Sequence, residues 1–248
     1  PLADYAFTPT IAIVDPALVE TVPAFIAADT GMDVLTHATE AYTSNFANDY
    51  TDGIALQTIK LVFKYLEKSV KTADPEAREK MHNASTMAGM AFANAFLGMS
   101  HSMAHKIGGV HHTIHGRTNA ILLPYVIRYN GTRPSKTTTW PKYNYWKADE
   151  KFQDIARMLG LPCSTPEEAV EAYAKAVYDL GEAVGITMNF KGFGIDEKTW
   201  KDSLHEIALL AYEDQCSPAN PRLPMVADME EIMADAYYGY GERPGRRK

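Results

Sequence analysis

The spacing of the apolar residues is the sequence feature that most constrains the fold, because this spacing has the period of an α-helix along almost the whole chain. Apolar side chains recur at three- and four-residue steps, and Gly, Pro, Asn and Asp interrupt them. One short run, Thr10 to Val14, is typical of a β-strand, and no second clear strand follows for it to pair with. We therefore predict an all-α fold, a helical bundle into which a short β-strand leads.

Single residues predict where several helices begin and end. Asp-Pro pairs at Asp15 and Asp74 predict helix starts, since Asp caps a helix N-terminus and Pro fits its first turn. Gly108 and the glycine after it predict a helix end, and Pro124 predicts a bend or a division. The small, apolar segment 84–96 predicts a fully buried helix at the centre of the core.

Composition excludes several classes of partner. The 248 residues are 46% hydrophobic, which is enough for a real core. The formal charge of -7 is spread along the chain and argues against a nucleic-acid partner, and the basic tail Arg246 to Lys248 is typical of a frayed end. No apolar run approaches the roughly 20 residues that span a bilayer. With no membrane partner and two widely separated cysteines, we expect a cytoplasmic protein.

The division into domains follows from the unpaired strand and from a start without Met. We predict that residues 1–22 form a strand and connector from a missing N-terminal lobe. Residues 23–248 then form one all-helical domain, from which the polar, aromatic segment 132–149 projects at the surface.

Histidines are concentrated in one window, where residues 98–116 hold five of the eight. Within it His101 and His105 stand four apart, as do Asp33 and His37 earlier in the chain, so each pair lies on one face of a helix. Imidazoles with one carboxylate suit a borderline divalent ion such as Fe(II) or Zn(II). An i, i+4 pair is more often an ordinary helix pair than a metal site, and residue chemistry alone does not select which histidines bind.

The remaining histidines and the other motifs give weaker evidence for a functional site. His111 and His112 are adjacent and favour loop or supporting positions, while His82 and His205 lie in charged helices and favour ordinary surface roles. The chain has no Gly-x-Ser-x-Gly elbow, no Walker loop and no Cys-x-x-Cys motif. A metal hydrolase remains an alternative, although His105 would be its single plausible general base.

Three segments in this order and spacing, "TGMDVLTHATEAYTS", "HSMAHKIGG" and "HGRTNAILLPYVIRYN", resemble the iron-dependent (group III) alcohol dehydrogenases. "FANAFLGMSHSMAHKIGG" and "EDQCSPANPRLP" are most similar to the C-terminal alcohol dehydrogenase half of the bifunctional aldehyde-alcohol dehydrogenases. The resemblance implies the helical C-terminal domain of a dehydroquinate-synthase-like fold. It also implies four metal ligands: Asp33, His37, His101 and His115.

For the remaining site residues, the resemblance implies that His105 lines the site near the nicotinamide and relays a proton, and that Leu18 contacts NAD. Ile114 stands where family members often carry Pro, a departure that removes no ligand.

The implied reaction is the reversible, NADH-dependent reduction of a short-chain aldehyde, acetaldehyde to ethanol, with Fe(II) or Zn(II) and NAD(H) as cofactors. Since the resemblance places the nucleotide-binding lobe before this chain, we expect the chain alone to be inactive. The complete protein is expected to form homo-oligomers or filaments. An alternative function is a helical metal-binding and assembly module that contributes to filament formation.

Overall fold

The structure, a computed structural model, describes residues 4–134 and 146–244, and within these ranges every regular element is helical. The ten α-helices are α1 (Ala24–Thr43), α2 (Asp49–Thr72), α3 (Pro75–Ala95), α4 (Met99–His111), α5 (His115–Gly131), α6 (Ala148–Leu159), α7 (Pro166–Ala183), α8 (Phe190–Phe193), α9 (Glu197–Tyr212) and α10 (Val226–Tyr238). Short 3-10 turns occupy Tyr5–Phe7, Pro16–Val19 and Ser217–Ala219. The all-α prediction is confirmed.

Two hydrophobic cores share helix α5. The first core combines α1, α2, α3, α6 and α7, and includes Met32, Leu35 and Tyr173. The second core combines α4, α9 and α10 around Trp200. Alternate faces of α5 enter the two cores, with Leu123 in the first core and Leu122 in the second. Helices α1, α4 and α5 therefore meet where the cores join.

The predicted helix starts at the two Asp-Pro pairs are confirmed. The Asp15 side chain accepts a hydrogen bond from the Ala17 N–H at 3.0 Å and begins the turn Pro16–Val19. The Asp74 side chain accepts one from the Ala77 N–H at 2.9 Å and begins α3. Each carboxylate satisfies a backbone donor that has no partner within its own helix.

The strand expected at Thr10 to Val14 is not formed. Residues 8–15 adopt neither helix nor strand, and Ile11 and Ile13 are 79% and 86% exposed. The described ranges contain no other strand, so nothing offers this segment a ladder of backbone hydrogen bonds.

Two expectations about the helices also fail, the end of α4 and the burial of α3, and of the two outcomes predicted for Pro124 the division of its helix is excluded. Helix α4 continues through the glycine pair and ends at His111, because His112 adopts the left-handed conformation with φ 54°. The cost of helical glycine, roughly 1 kcal/mol each, does not outweigh the packing of α4 in the second core. Pro124 does not divide α5, which is continuous and buried over most of its length.

The second half of α3 is not fully buried. Its alanines at 84, 88, 91 and 95 face the core, whereas Met90 is 54% exposed. The buried alanines thus line one face of α3, and α1 is the helix that contacts α2, α3 and α5 together.

Two predicted surface features fall largely outside the described residues: positions 135–145 of the segment 132–149, and the tail Arg246 to Lys248. At the described end of that segment, Ala148 is buried and begins α6, so this end does not project at the surface. None of the helices that the structure describes combines the length and apolarity needed to cross a membrane.

Candidate metal centre

Four predicted ligands from three helices converge on one point. Asp33 and His37 lie one turn apart on α1, His101 is in the first turn of α4, and His115 is the first residue of α5. The Nε2 atoms of His37, His101 and His115 lie 3.9, 3.7 and 3.6 Å from the Asp33 carboxylate oxygens. One ligand atom from each of the four residues lies within 4.8 Å of the others.

These separations fit ligands that share an ion. They are too long for hydrogen bonds, whereas two ligand atoms about 2.1 Å from a tetrahedral ion are about 3.4 Å apart. The His101 Nε2 atom is buried and has no hydrogen-bond partner among the described residues. A buried polar nitrogen without a partner is costly unless a cation or a proton occupies the space in front of it. The residues present therefore fit a divalent ion.

The charges around His101 favour positive charge at its ring. Burial lowers the pKa of His101, but the carboxylates of Glu40 and Asp33 outweigh that effect and raise it to about 9. A ring that attracts a proton so strongly also attracts a metal ion in place of the proton.

The other ligands are held in the states that metal binding requires. Burial alone would raise the pKa of Asp33, but the neighbouring imidazoles of His101, His37 and His115 keep it below its ordinary value. Burial lowers the pKa of His37 to about 4, with a further contribution from His101, and burial also lowers the pKa of His115. An ionised carboxylate and neutral imidazoles can donate lone pairs to a metal.

The sequence analysis did not identify Glu40, which contacts His101 at the ring nitrogen that does not face the other ligands. The His101 Nδ1 atom donates to Glu40 Oε2 at 2.6 Å, and the buried Glu40 carboxylate also accepts the backbone N–H groups of Gly98 and Ser100 at 3.0 and 2.7 Å. A Cβ atom on Gly98 would lie 2.9 Å from Glu40 Oε1, so the close approach requires glycine. The spacing of Asp33, His37 and Glu40 at i, i+4 and i+7 is the signal that could have identified this residue.

Helix α5 is fixed against α1 beside His115. A Cβ atom on Gly116 would lie 2.3 Å from the Asp29 carbonyl oxygen, so only glycine permits this contact. Arg117 donates from Nε and Nη2 to the two oxygens of the buried Asp29 at 2.8 and 3.0 Å. The Asn119 amide donates to Asp33 Oδ1 at 2.8 Å. Backbone packing and a bidentate ion pair thus place the start of α5 at the site.

His105 lies beside the four-residue group without joining it. Its ring stacks on the His115 ring, with centroids 5.4 Å apart and planes 12° apart, and its Nδ1 atom lies 3.1 Å from Asp214 Oδ2. Asp214 was also missed, since a loop residue so distant in sequence gives no periodic signal.

Leu18 is not brought into the cluster. It lies in the turn Pro16–Val19 and is 73% exposed. Arg78 on α3 holds the end of this turn and the connector after it, donating to the carbonyls of Val19 and Val22 at 3.0 and 2.8 Å.

The other histidines lie elsewhere. His111 contacts Ser203 and stacks on Trp200, His112 ends α4, and His205 pairs with Glu230 at the surface of α9.

Comparison with known proteins gives consistent matches. The model for the C-terminal part of the Fe-containing alcohol dehydrogenase family matches residues 27–237. An aldehyde-alcohol dehydrogenase of Streptococcus pneumoniae serotype 2 (strain D39 / NCTC 7466) is 79% identical over 248 residues, all of this chain but 28% of that protein.

Two solved structures have the same fold. The iron-containing alcohol dehydrogenase from Thermococcus thioreducens matches with a TM-score of 0.83 and 35% identity, over 96% of this chain and 57% of that one. The sulfoacetaldehyde reductase from Bifidobacterium kashiwanohense, solved in complex with NAD+, matches with a TM-score of 0.76 and 29% identity, over 94% and 56% of the two chains.

Proposed function

Because this chain belongs to the Fe-containing alcohol dehydrogenase family, we propose that it forms the metal-binding part of an enzyme that reduces acetaldehyde reversibly to ethanol with NADH. The observation that carries the proposal is the group of four ligand atoms from three helices, together with the buried His101 Nε2 atom, for which the described part of the chain supplies no hydrogen-bond partner.

The ligands in this proposal are the four residues of that group. One carboxylate and three imidazoles suit Fe(II), and Zn(II) fits the same donors, so the ion that is loaded depends on availability. The solved relative with bound NAD+ supports NAD(H) as the second cofactor.

When bound, the metal would supply a Lewis acid for the substrate oxygen and the nicotinamide would supply the hydride. The chain's own residues contribute position and a proton. Glu40 orients His101 through the Nδ1 atom, so that the Nε2 atom faces Asp33. His105, stacked on His115 at the edge of the group, gives a proton to the oxygen during reduction and takes it back during oxidation.

The proposed enzyme needs a second lobe. We assign residues 1–22 to the connector and residues 23–248 to the metal-binding domain, with a nucleotide-binding lobe preceding them in the complete protein. Leu18, exposed on the connector, would contact NAD(H). Short-chain aldehydes and alcohols are the substrates, the protein is cytoplasmic, and the complete chain assembles into homo-oligomers or filaments.

Anaerobic metal analysis and ethanol formation by the complete protein test the metal assignment. The His115→Ala variant should lose most of its metal and its alcohol dehydrogenase activity. The matched control is His205→Ala, since His205 is exposed on α9 and lies outside the group. A His115→Ala variant that keeps both metal and activity would show that the ligand assignment is wrong.

A second experiment tests the need for the other lobe. The isolated 248-residue chain should form no measurable ethanol from acetaldehyde and NADH, even when it is loaded with Fe(II). Measurable NADH-dependent ethanol formation by the isolated chain would contradict the two-lobe proposal and leave the ligand assignment intact.

A further inference from the structure

A second carboxylate–imidazole pair lies one helical turn beyond His101, the candidate ligand on α4. The His105 Nδ1 atom lies 3.1 Å from Asp214 Oδ2. Asp214 is in the segment just after α9, and 109 positions separate it from His105. Its side chain is only 2% exposed, while that of His105 is 19% exposed. A buried carboxylate therefore faces the inner edge of a ring that is partly open to solvent.

The surroundings of Asp214 hold its carboxylate in place and ionised. Lys106 Nζ donates to Oδ2 at 2.9 Å, and the Cys216 backbone N–H donates to Oδ1 at 3.0 Å. Burial by itself would raise the pKa of Asp214, but the contacts with His105, the Cys216 N–H and Lys106 keep it below its ordinary value. An ionised carboxylate only accepts hydrogen bonds, so the Nδ1 atom of His105 must carry the hydrogen between them.

We propose that Asp214 is a positioning residue for His105, fixing its ring orientation and its Nδ1–H form so that Nε2 is the atom that exchanges the substrate proton. The inference rests on the proton-relay role proposed for His105. It assigns Asp214 no contact with substrate or metal. A carboxylate that orients a catalytic imidazole through Nδ1 is a general solution to this chemical task.

The contacts of Asp214 and Cys216 fit a metal site less well than they fit a hydrogen-bonded His105–Asp214 pair. One ligand atom each from His105, Asp214 and Cys216 lies within 4.8 Å of the others. However, the Lys106 ammonium already neutralises Asp214, and burial raises the pKa of the Cys216 thiol, which disfavours the thiolate that a metal would need. This cluster therefore has its own cation.

The test uses the complete, Zn(II)-loaded protein with 15N-labelled histidine, and solid-state 15N spectra in which His105→Gln identifies the His105 signals. In the unsubstituted protein His105 should carry hydrogen at Nδ1, and in Asp214→Asn the signals should move toward the Nε2–H form. The Asp214→Asn variant should retain its metal, and its KM should stay within about twofold. Its kcat should fall about 10- to 100-fold, because general acid–base catalysis by His105 would be weakened but not abolished. Asp214→Glu, which keeps an ionised acceptor, should recover part of the lost kcat.

An unchanged kcat and an unchanged 15N spectrum in Asp214→Asn would overturn the inference. If that variant does not fold, the spectrum of the unsubstituted protein decides, since a His105 without hydrogen at Nδ1 contradicts the proposal. Full activity of His105→Gln would instead end the relay role, while the spectra would still show whether Asp214 sets the form of the ring.

Discussion

Two histidines on helix α4, one turn apart, each pair with a buried carboxylate from another part of the chain, and the two pairs differ in the charged groups around them. His101 donates from Nδ1 to Glu40, and His105 lies with Nδ1 against Asp214. Both carboxylates are buried and also accept backbone N–H groups. Lys106 contacts Asp214 directly, whereas the Nε2 atom of His101 is buried and faces Asp33 without a hydrogen bond.

The difference shows that a carboxylate behind an imidazole does not by itself define the chemistry of a site. Where the structure supplies a lysine and leaves the ring 19% exposed, we infer a proton-handling role. Where the ring is 1% exposed and faces a second carboxylate, it is suited to a metal. The nearest cation and the access to solvent distinguish the two pairs.

Replacing the two histidines of α4 in turn should give the largest difference in metal affinity between the pairs. The His101→Gln variant should bind Zn(II) more than about 100-fold more weakly, because losing a ligand costs more than losing its supporting partner. The His105→Gln variant should bind it within a few-fold of the unsubstituted protein. Competition with a chelator of known affinity measures both values, and a stronger effect from His105→Gln would reverse the assignment of the two pairs.

The next largest effect should come from Glu40→Gln. Loss of the carboxylate removes the constraint that keeps the hydrogen of His101 on Nδ1, so metal affinity should fall about 10- to 100-fold. Gln is close to Glu in size, but Gly98 and Ser100 donate to different oxygens of Glu40, so the Gln oxygen can accept only one of these two N–H groups. Asp214→Asn is the matched control, with unchanged metal affinity as the expected result, and equal losses in the two variants would erase the distinction between the pairs.

Removing the built-in cation should affect stability and not metal affinity. Lys106→Met leaves the buried Asp214 carboxylate with fewer partners and should lower the free energy of unfolding by about 1 to 3 kcal/mol. Thermal unfolding should show a Tm lower by about 2–4 °C per kcal/mol. Lys198→Met is the control, since Lys198 is 86% exposed in its pair with Asp202 and should change stability by less than about 0.5 kcal/mol. An unchanged Tm in Lys106→Met would mean that Lys106 does not stabilise the buried Asp214 carboxylate.

The smallest effect concerns ring packing at the first pair. Phe92 stacks on His37 with centroids 4.6 Å apart, and His37 stacks in turn on His101 at 4.5 Å. Such aromatic contacts contribute about 0.5 to 1.5 kcal/mol, so Phe92→Ala should weaken Zn(II) binding about 2- to 12-fold. Phe92→Tyr keeps the ring and should preserve the affinity. A full loss of binding in Phe92→Ala would show that the first pair depends on packing more than on Glu40.

Much of the architecture could be predicted from local patterns. The helical period gave the all-α class, and Asp15 and Asp74 marked helix starts correctly because a capping carboxylate bonds to backbone groups two or three residues away. The i, i+4 spacing placed Asp33 and His37 on one face of α1, as found. The burial of α3 and the end of α4 were predicted wrongly, because neighbouring helices decide which face is covered and where a helix stops.

By itself, then, the sequence determined the helices, their caps and the resemblance that selected Asp33, His37, His101 and His115 as candidate ligands. Only the tertiary structure decided which carboxylates stand behind the two imidazoles of α4, since Glu40 lies 61 positions from His101 and Asp214 lies 109 positions from His105. Local propensity acts over a few residues. The environment of each ring depends on the packing of α1 and of the segment after α9 against α4, which no short-range pattern encodes.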